Sequence, residues 1–161
     1  MGALVSTLLH ALWAAPAATG FAMLFNVRVR ALPIVAAIAV LAKLISLVAV
    51  NRGLTLIVAD FAAAFIVGAI AYTLGPRLGE ASPVFAFAPV IPLVPGAIIA
   101  KSFIQSFAAW ITSASADNPV HSDQFIQTLG SAIWAAAILL ALCLGAISPM
   151  LLLPRARTAE D

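Results

Sequence analysis

Five apolar stretches, each about twenty residues or longer and parted by short polar breaks, constrain this 161-residue chain more than any single motif. At ~1.5 Å of rise per residue, an apolar helix of that length crosses the ~30 Å hydrocarbon core of a bilayer. Lipid cannot hydrogen-bond a bare backbone, so only helices or a closed barrel can span it, and these runs far exceed the ~10-residue strands of a barrel. Composition agrees: 64% of the residues are hydrophobic, 9% are charged and the mean hydropathy is +1.14, which leaves too little polar surface to wrap a soluble core. The sequence predicts an all-α, polytopic integral membrane protein forming a single transmembrane domain over residues 1–161.

The first run covers about residues 3–25 and stops at Asn26, ahead of Arg28 and Arg30. It has no lysine or arginine in front of it and is longer than a secretory h-region, so it reads as a retained span. The second, about 31–50, ends at Asn51-Arg52-Gly53, a composition suited to a tight turn between antiparallel helices, and the third, about 54–74, follows at once. The segment from Gly75 to Glu80, with Pro76 and Gly79, reads as a polar loop. A fourth run over about 84–110 and a fifth over about 125–153 flank the only sizeable hydrophilic connection, which holds Asp117, His121 and Asp123.

With five spans the loops alternate sides. Arg28, Arg30, Arg77, Arg155 and Arg157 then share one side, while the other keeps Arg52, Asp117 and Asp123. The positive-inside rule places the first side in the cytoplasm, giving an outside N-terminus and a cytoplasmic C-terminus. Making the second run re-entrant around its lysine would put Arg52 with the first arginines, so five spans are preferred. The net charge of +2 is spread over helix ends and not gathered on a face, which points to topology and away from a nucleic-acid partner.

Function in such a chain is sought where the rules of the bilayer are broken, because a charge or an interrupted helix at depth is costly unless protein or water surrounds it. Lys43 and Asp60 each lie eight or nine residues from the centre of the Asn51–Gly53 turn, so antiparallel helices bring them to a common depth of ~12 Å. Opposite charges at matched depth suggest an ion pair. Two readings stand: a switching element of a substrate or proton path, or a permanent pair that fixes helix packing. The second irregular place is Pro89-Val90-Ile91-Pro92-Leu93-Val94-Pro95-Gly96 in the fourth run, where three prolines remove backbone donors and Gly96 permits an unusual turn. A broken helix is expected there. Its freed carbonyls and the half-helix starting at Gly96 either face a polar cavity or form a packing kink. Lys101 then either assists with an anion at that half-helix or snorkels toward the interface.

Other residue types argue mainly by exclusion. Cys143 lies inside an apolar run and has no second cysteine, so it reads as packing. His10 and His121 lack a second ligand at metal spacing. No nucleophile arrangement, paired catalytic carboxylates or phosphate-binding glycine loop is visible, which argues against an enzyme, against a cofactor and against ATP as the energy source. Pro16 and Gly20 in the first span are packing or loosening positions.

Several segments in a common order resemble the threonine/serine exporter family: Gly20-Phe21-Ala22-Met23-Leu24-Phe25-Asn26-Val27, then Arg30-Ala31-Leu32, then Gly53, Phe61 and Gly68, then Ile91-Pro92-Leu93-Val94-Pro95-Gly96. The likeness covers about residues 10–150 and is to the C-terminal, five-helix half of that family, which occurs either fused or as a separate small subunit, including in two-component succinate exporters. It implies a subunit of a secondary exporter of threonine and serine or of a dicarboxylate in the bacterial cytoplasmic (inner) membrane, working with a larger five-helix partner subunit. The sequence departs from the family pattern at Arg28, where proline is common, at Ala42-Lys43 and Ser46, where a Gly-His pair and an arginine are common, and at Ala100, where a tyrosine is common.

Lys43 keeps a cationic group at the histidine position, suited to a substrate carboxylate, and Asp60 offers it a partner. The candidate path residues are thus Lys43, Asp60, Pro92, Pro95, Gly96 and Lys101. No internal inverted repeat is visible, so the larger subunit or a second copy of the chain is expected to complete the pathway. The competing reading is a non-transporting structural subunit of a membrane complex.

Overall fold

Helix follows helix through the structure, a computed structural model that describes residues 2–79, 81–94 and 122–152 together with positions 96, 100, 103–105, 107, 108 and 111. The helices are α1 (Gly2–Leu12), α2 (Ala14–Leu24), α3 (Leu32–Asn51), α4 (Leu56–Leu78), α5 (Ser82–Val90) and α6 (Ser122–Leu152), with single 3-10 turns at Val29–Ala31 and Ile91–Leu93. Among the described residues there is no strand, and the all-α membrane architecture stands.

Four stretches are long and apolar enough to cross a membrane: Thr7–Leu24, Val29–Asn51, Leu56–Leu78 and Leu129–Leu152. They correspond to four of the five expected spans. The remaining one, 84–110, opens as the shorter apolar helix Ser82–Leu93 and is interrupted at the proline motif, as the sequence predicts. The chain divides into two compact units, residues 1–94 with 140–161, and residues 95–139. In the second unit every described residue is helical, and Phe103, Ile104 and Phe107 are exposed.

In the first unit the arrangement of side chains suits a bilayer. The buried positions are dominated by alanine: Ala11, Ala14, Ala18 and Ala22 on α1 and α2, Ala39 and Ala42 on α3, and Ala59, Ala63, Ala64 and Ala71 on α4. Large apolar side chains such as Trp13, Leu24, Leu144 and Leu151 face outward. In lipid there is nothing to gain from hiding leucine, whereas small side chains let backbones approach and collect dispersion and dipolar contacts. Packing of α3 against α2, α4 and α5 follows from this.

The glycines bring α4 close to the last part of α6. A Cβ on Gly68 would collide with the backbone carbonyl of Ala146, and one on Gly145 would come 2.7 Å from the carbonyl oxygen of Phe61 and 2.9 Å from the Ala64 Cβ. Phe61, Ala64, Phe65 and Gly68 recur at the i, i+3, i+4, i+7 spacing of one helical stripe, and glycine is the only residue that fits at Gly68 and Gly145. Just beyond, Pro149 sits buried inside α6, where its ring leaves the Gly145 carbonyl without a helical donor. The Ser148 hydroxyl reaches that carbonyl at 3.0 Å and the Leu144 carbonyl at 2.7 Å, so the lost backbone bond is replaced without water.

Two boundaries depart from the sequence reading. The first run is interrupted at Trp13, whose N–H makes only a long 3.4 Å bond to the Leu9 carbonyl. Pro16 explains it, since a proline ring collides with the carbonyl four residues earlier, here Leu12. Conversely, the predicted loop from Gly75 does not begin there: α4 continues through Pro76 to Leu78. A proline in the final turn removes one hydrogen bond but does not stop the helix. The stop comes at Gly79, which adopts φ 71° and donates its N–H to the Pro76 carbonyl at 3.1 Å. Arg28 reaches the same end, donating from Nη1 to the Leu78 carbonyl at 3.2 Å, a cation placed on the negative end of the helix dipole.

Candidate functional site

The α3–α4 hairpin carries the polar centre of the described structure. Pro33 lies in the first turn of α3, where its missing N–H costs nothing, and the helix then runs to Asn51. Gly53 turns the chain with φ 90°, and Thr55 is extended before α4 starts at Leu56. The break between Asn51 and Leu56 is thus centred near Gly53 and not on Arg52. Depth matching therefore moves by one turn relative to a count from the middle of the turn.

That shift decides the partner of Asp60. Ser46, and not Lys43, donates a hydrogen bond to Asp60 Oδ1, at 2.6 Å. Ser46 and Asp60 are 2% and 1% exposed, so neither has water to fall back on. Their surroundings are small and apolar, with Ala42 beside them on α3 and Ala59, Ala63 and Ala64 on α4, all inaccessible. The second carboxylate oxygen, Oδ2, is buried and has no hydrogen-bond partner. A polar atom buried this way ordinarily costs about 1–3 kcal/mol, and more for a charged group, so it is not a feature that packing alone would keep.

Lys43 is half-buried and stands three residues before Ser46, next to it on the same face of α3. It does not hydrogen-bond Oδ2. The expected contact of Lys43 with Asp60 is therefore replaced by a three-residue cluster. Ser46 holds one oxygen of Asp60, the other oxygen is open, and an ammonium lies one turn away.

The proline motif is placed as follows. Helix α5 passes through Pro89, which is buried, and ends at Val90. Pro92 lies within the 3-10 turn Ile91–Leu93, and Val94 then becomes extended with φ −58° and ψ 127°. This turn packs against α2 and α3, so the interruption faces the helix that carries Lys43 and Ser46. Gly96 is helical and exposed. Pro95 and Lys101 lie outside the described residues.

Ser46 is the member that sequence reasoning passed over as a contact. Its signal was present: Ser46 and Asp60 stand seven residues on either side of Gly53. In a hairpin whose turn is centred on the glycine, that symmetry pairs them.

Fold and site together define a multi-pass α-helical membrane protein with a buried, incompletely satisfied carboxylate between two of its spans. Its sequence matches the family model "Threonine/Serine exporter, ThrE" over residues 10–152, and the chain belongs to that family of membrane exporters. No solved structure matches it.

Proposed function

We propose that this chain is one subunit of a proton-coupled secondary exporter of a small zwitterionic metabolite, an amino acid such as threonine or serine, and that the Asp60 cluster lies on its path. The observation that carries the reading is the open Oδ2 of Asp60, a buried acceptor awaiting a donor. Two donors answer that description, a proton and the ammonium group of an amino acid. Lys43, one turn away, is the complementary site for the α-carboxylate, so the pair reads both ends of a zwitterion. A dicarboxylate such as succinate would satisfy Lys43 but bring no donor to Asp60, which makes it the less suitable cargo.

Coupling follows from exclusive occupancy. When Oδ2 holds a proton it cannot also bind the substrate ammonium as a carboxylate, so proton entry favours substrate release. The interruption after Leu93, packed on α3, supplies irregular backbone next to this helix, as broken helices do in other transporters. A larger five-helix subunit, or a second copy, completes the pathway, and the chain by itself does not transport. The clustering of Arg28, Arg30 and Arg77 at the end of α3 and α4 opposite Arg52 supports a cytoplasmic location for that end and an outside N-terminus in a bacterial inner membrane.

Efflux of labelled threonine, serine and succinate, measured from cells with and without the gene, tests the reading. Threonine or serine efflux that stops when a protonophore collapses the proton gradient is the expected result. Efflux of succinate alone would overturn the cargo, and flux indifferent to the gradient would indicate a channel. The hydrogen bond from Ser46 favours one other reading, a non-transporting subunit in which the cluster only pins α3 to α4. In that case neutralising Lys43 and Asp60 together leaves export intact and alters only the amount of folded protein.

A further inference from the structure

At the end of the α3–α4 hairpin away from Gly53, the chain forms a cleft that the transport reading does not use. Arg28, Val29, Arg30 and Ala31 from the connection between α2 and α3, and Arg77 and Leu78 from the end of α4, line an open cavity of about 660 Å³. That volume lies within the ~300–1,000 Å³ typical of ligand clefts. Among the described residues, three of the six that line it are arginines and none is acidic. Converging guanidinium groups repel one another, and each is a planar fork of donors that matches phosphate oxygens in pairs.

The cleft is held in shape from both sides. Asn26 turns the chain out of α2 with φ 57°, and the Val27 N–H closes onto the Ala22 carbonyl at 3.0 Å, which fixes where Arg28 starts. Arg28 then ties this connection to α4 through the Leu78 carbonyl, leaving Arg30 and Arg77 as the exposed charges across the opening. The apolar rim decides between a free anion and a lipid. Val29 in the lining is 78% exposed, and Leu24 and Met23 just before the turn are 77% and 63% exposed. Such side chains at the edge of a cationic cleft belong beside acyl chains, not in water.

We propose that this cleft binds the phosphate headgroup of an anionic phospholipid, with Arg30 and Arg77 gripping the phosphate and Val29, Leu24 and Met23 lying along the acyl chains. Such sites between membrane helices follow from juxtamembrane basic residues meeting a negative surface. The bound lipid bridges the start of α3 to the end of α4, the two helices of the Asp60 cluster.

Native mass spectrometry of the purified protein in neutral detergent, titrated with phosphatidylglycerol or phosphatidylcholine, tests this. Wild-type protein retains phosphatidylglycerol over phosphatidylcholine, and Arg30→Gln with Arg77→Gln weakens retention of phosphatidylglycerol by roughly thirtyfold, from about fivefold per charge. Arg30→Lys with Arg77→Lys, which keeps the charge, retains most of it and shows that the cleft still forms. Arg28 is left untouched because it caps α4. Equal retention of the two lipids by the wild type, or equal retention of phosphatidylglycerol by the wild type and the Gln variant, overturns the proposal. So does displacement of the lipid by millimolar inorganic phosphate, which would mark a site for a free anion.

Discussion

The two sides of α4 solve the same problem, holding a helix in place in a membrane, by opposite means. Toward α6 it presents Phe61, Ala64, Phe65 and Gly68, and contact is made by bare backbone, with glycine on each helix where the other approaches. Toward α3, ~100° around the helix from Phe61, it presents Asp60, and contact is made by a hydrogen bond between buried side chains that leaves one oxygen open. The first side has nothing unsatisfied and no room for anything to enter. The second carries a standing energetic cost. A surface optimised only for packing would resemble the first on both sides, and the proposed transport role of the α3 side rests on that difference.

Substitutions that break the comparison should do so unequally. Gly68→Leu has the largest expected effect, because the new side chain meets the Ala146 backbone, which cannot move aside as a flexible side chain would. Overpacking of this kind costs about 1–3 kcal/mol even against side chains, and the loss should be greater here. Membrane-inserted, detergent-stable protein should disappear in a fluorescence-detected size-exclusion assay. Ser46→Ala comes next. It leaves Asp60 Oδ1 without its donor, at a cost of about 1–3 kcal/mol, and should lower thermal stability in detergent and reduce efflux without eliminating folded protein. Gly79→Ala is the smallest, about 1–2 kcal/mol for a left-handed alanine, with the Arg28 guanidinium able to move aside. It should shift the melting temperature slightly and leave efflux at the wild-type level. If Gly79→Ala proved worse than Gly68→Leu, the claim that the α4–α6 seam is the rigid side would fail.

The sharper version of the comparison uses Lys43. Lys43→Ala removes a half-buried charge that makes no hydrogen bond to Asp60, so abundance should change little while efflux of an amino acid falls. A loss of folded protein that is rescued by adding Asp60→Asn would instead show that the two charges stabilise each other, returning the cluster to a structural role. Both quantities can be read from one set of cells by immunoblot and labelled-threonine efflux.

Much of the membrane architecture was readable because it depends on one-dimensional properties. Run length and hydropathy located the four helices long enough to cross a membrane, and the prolines from Pro89 to Pro95 announced the interruption that appears after Leu93. Boundaries were missed where a breaker does not act at its own position. Pro16 disturbs the chain three residues earlier, at Trp13, and Pro76 is tolerated inside the last turn of α4 while Gly79 ends it. In the site, Asp60 was identifiable as a charge at depth, but its partner depends on how many residues the turn unwinds. The four residues between Asn51 and Leu56 shift the register by enough to exchange Lys43 for Ser46. The glycine seam was the least legible feature, since the need for glycine at Gly68 and Gly145 appears only once α4 and α6 are known to touch.

The central claim is that the open oxygen of Asp60 serves transport and not packing. Asp60→Asn tests it most directly, since the amide is nearly isosteric, can still accept from Ser46, and can neither carry a proton nor attract a substrate ammonium as a carboxylate does. Efflux of labelled threonine and serine, normalised to folded protein in the membrane, should drop to the background of cells lacking the gene while the protein remains abundant. Wild-type efflux by Asp60→Asn at equal abundance would contradict the account.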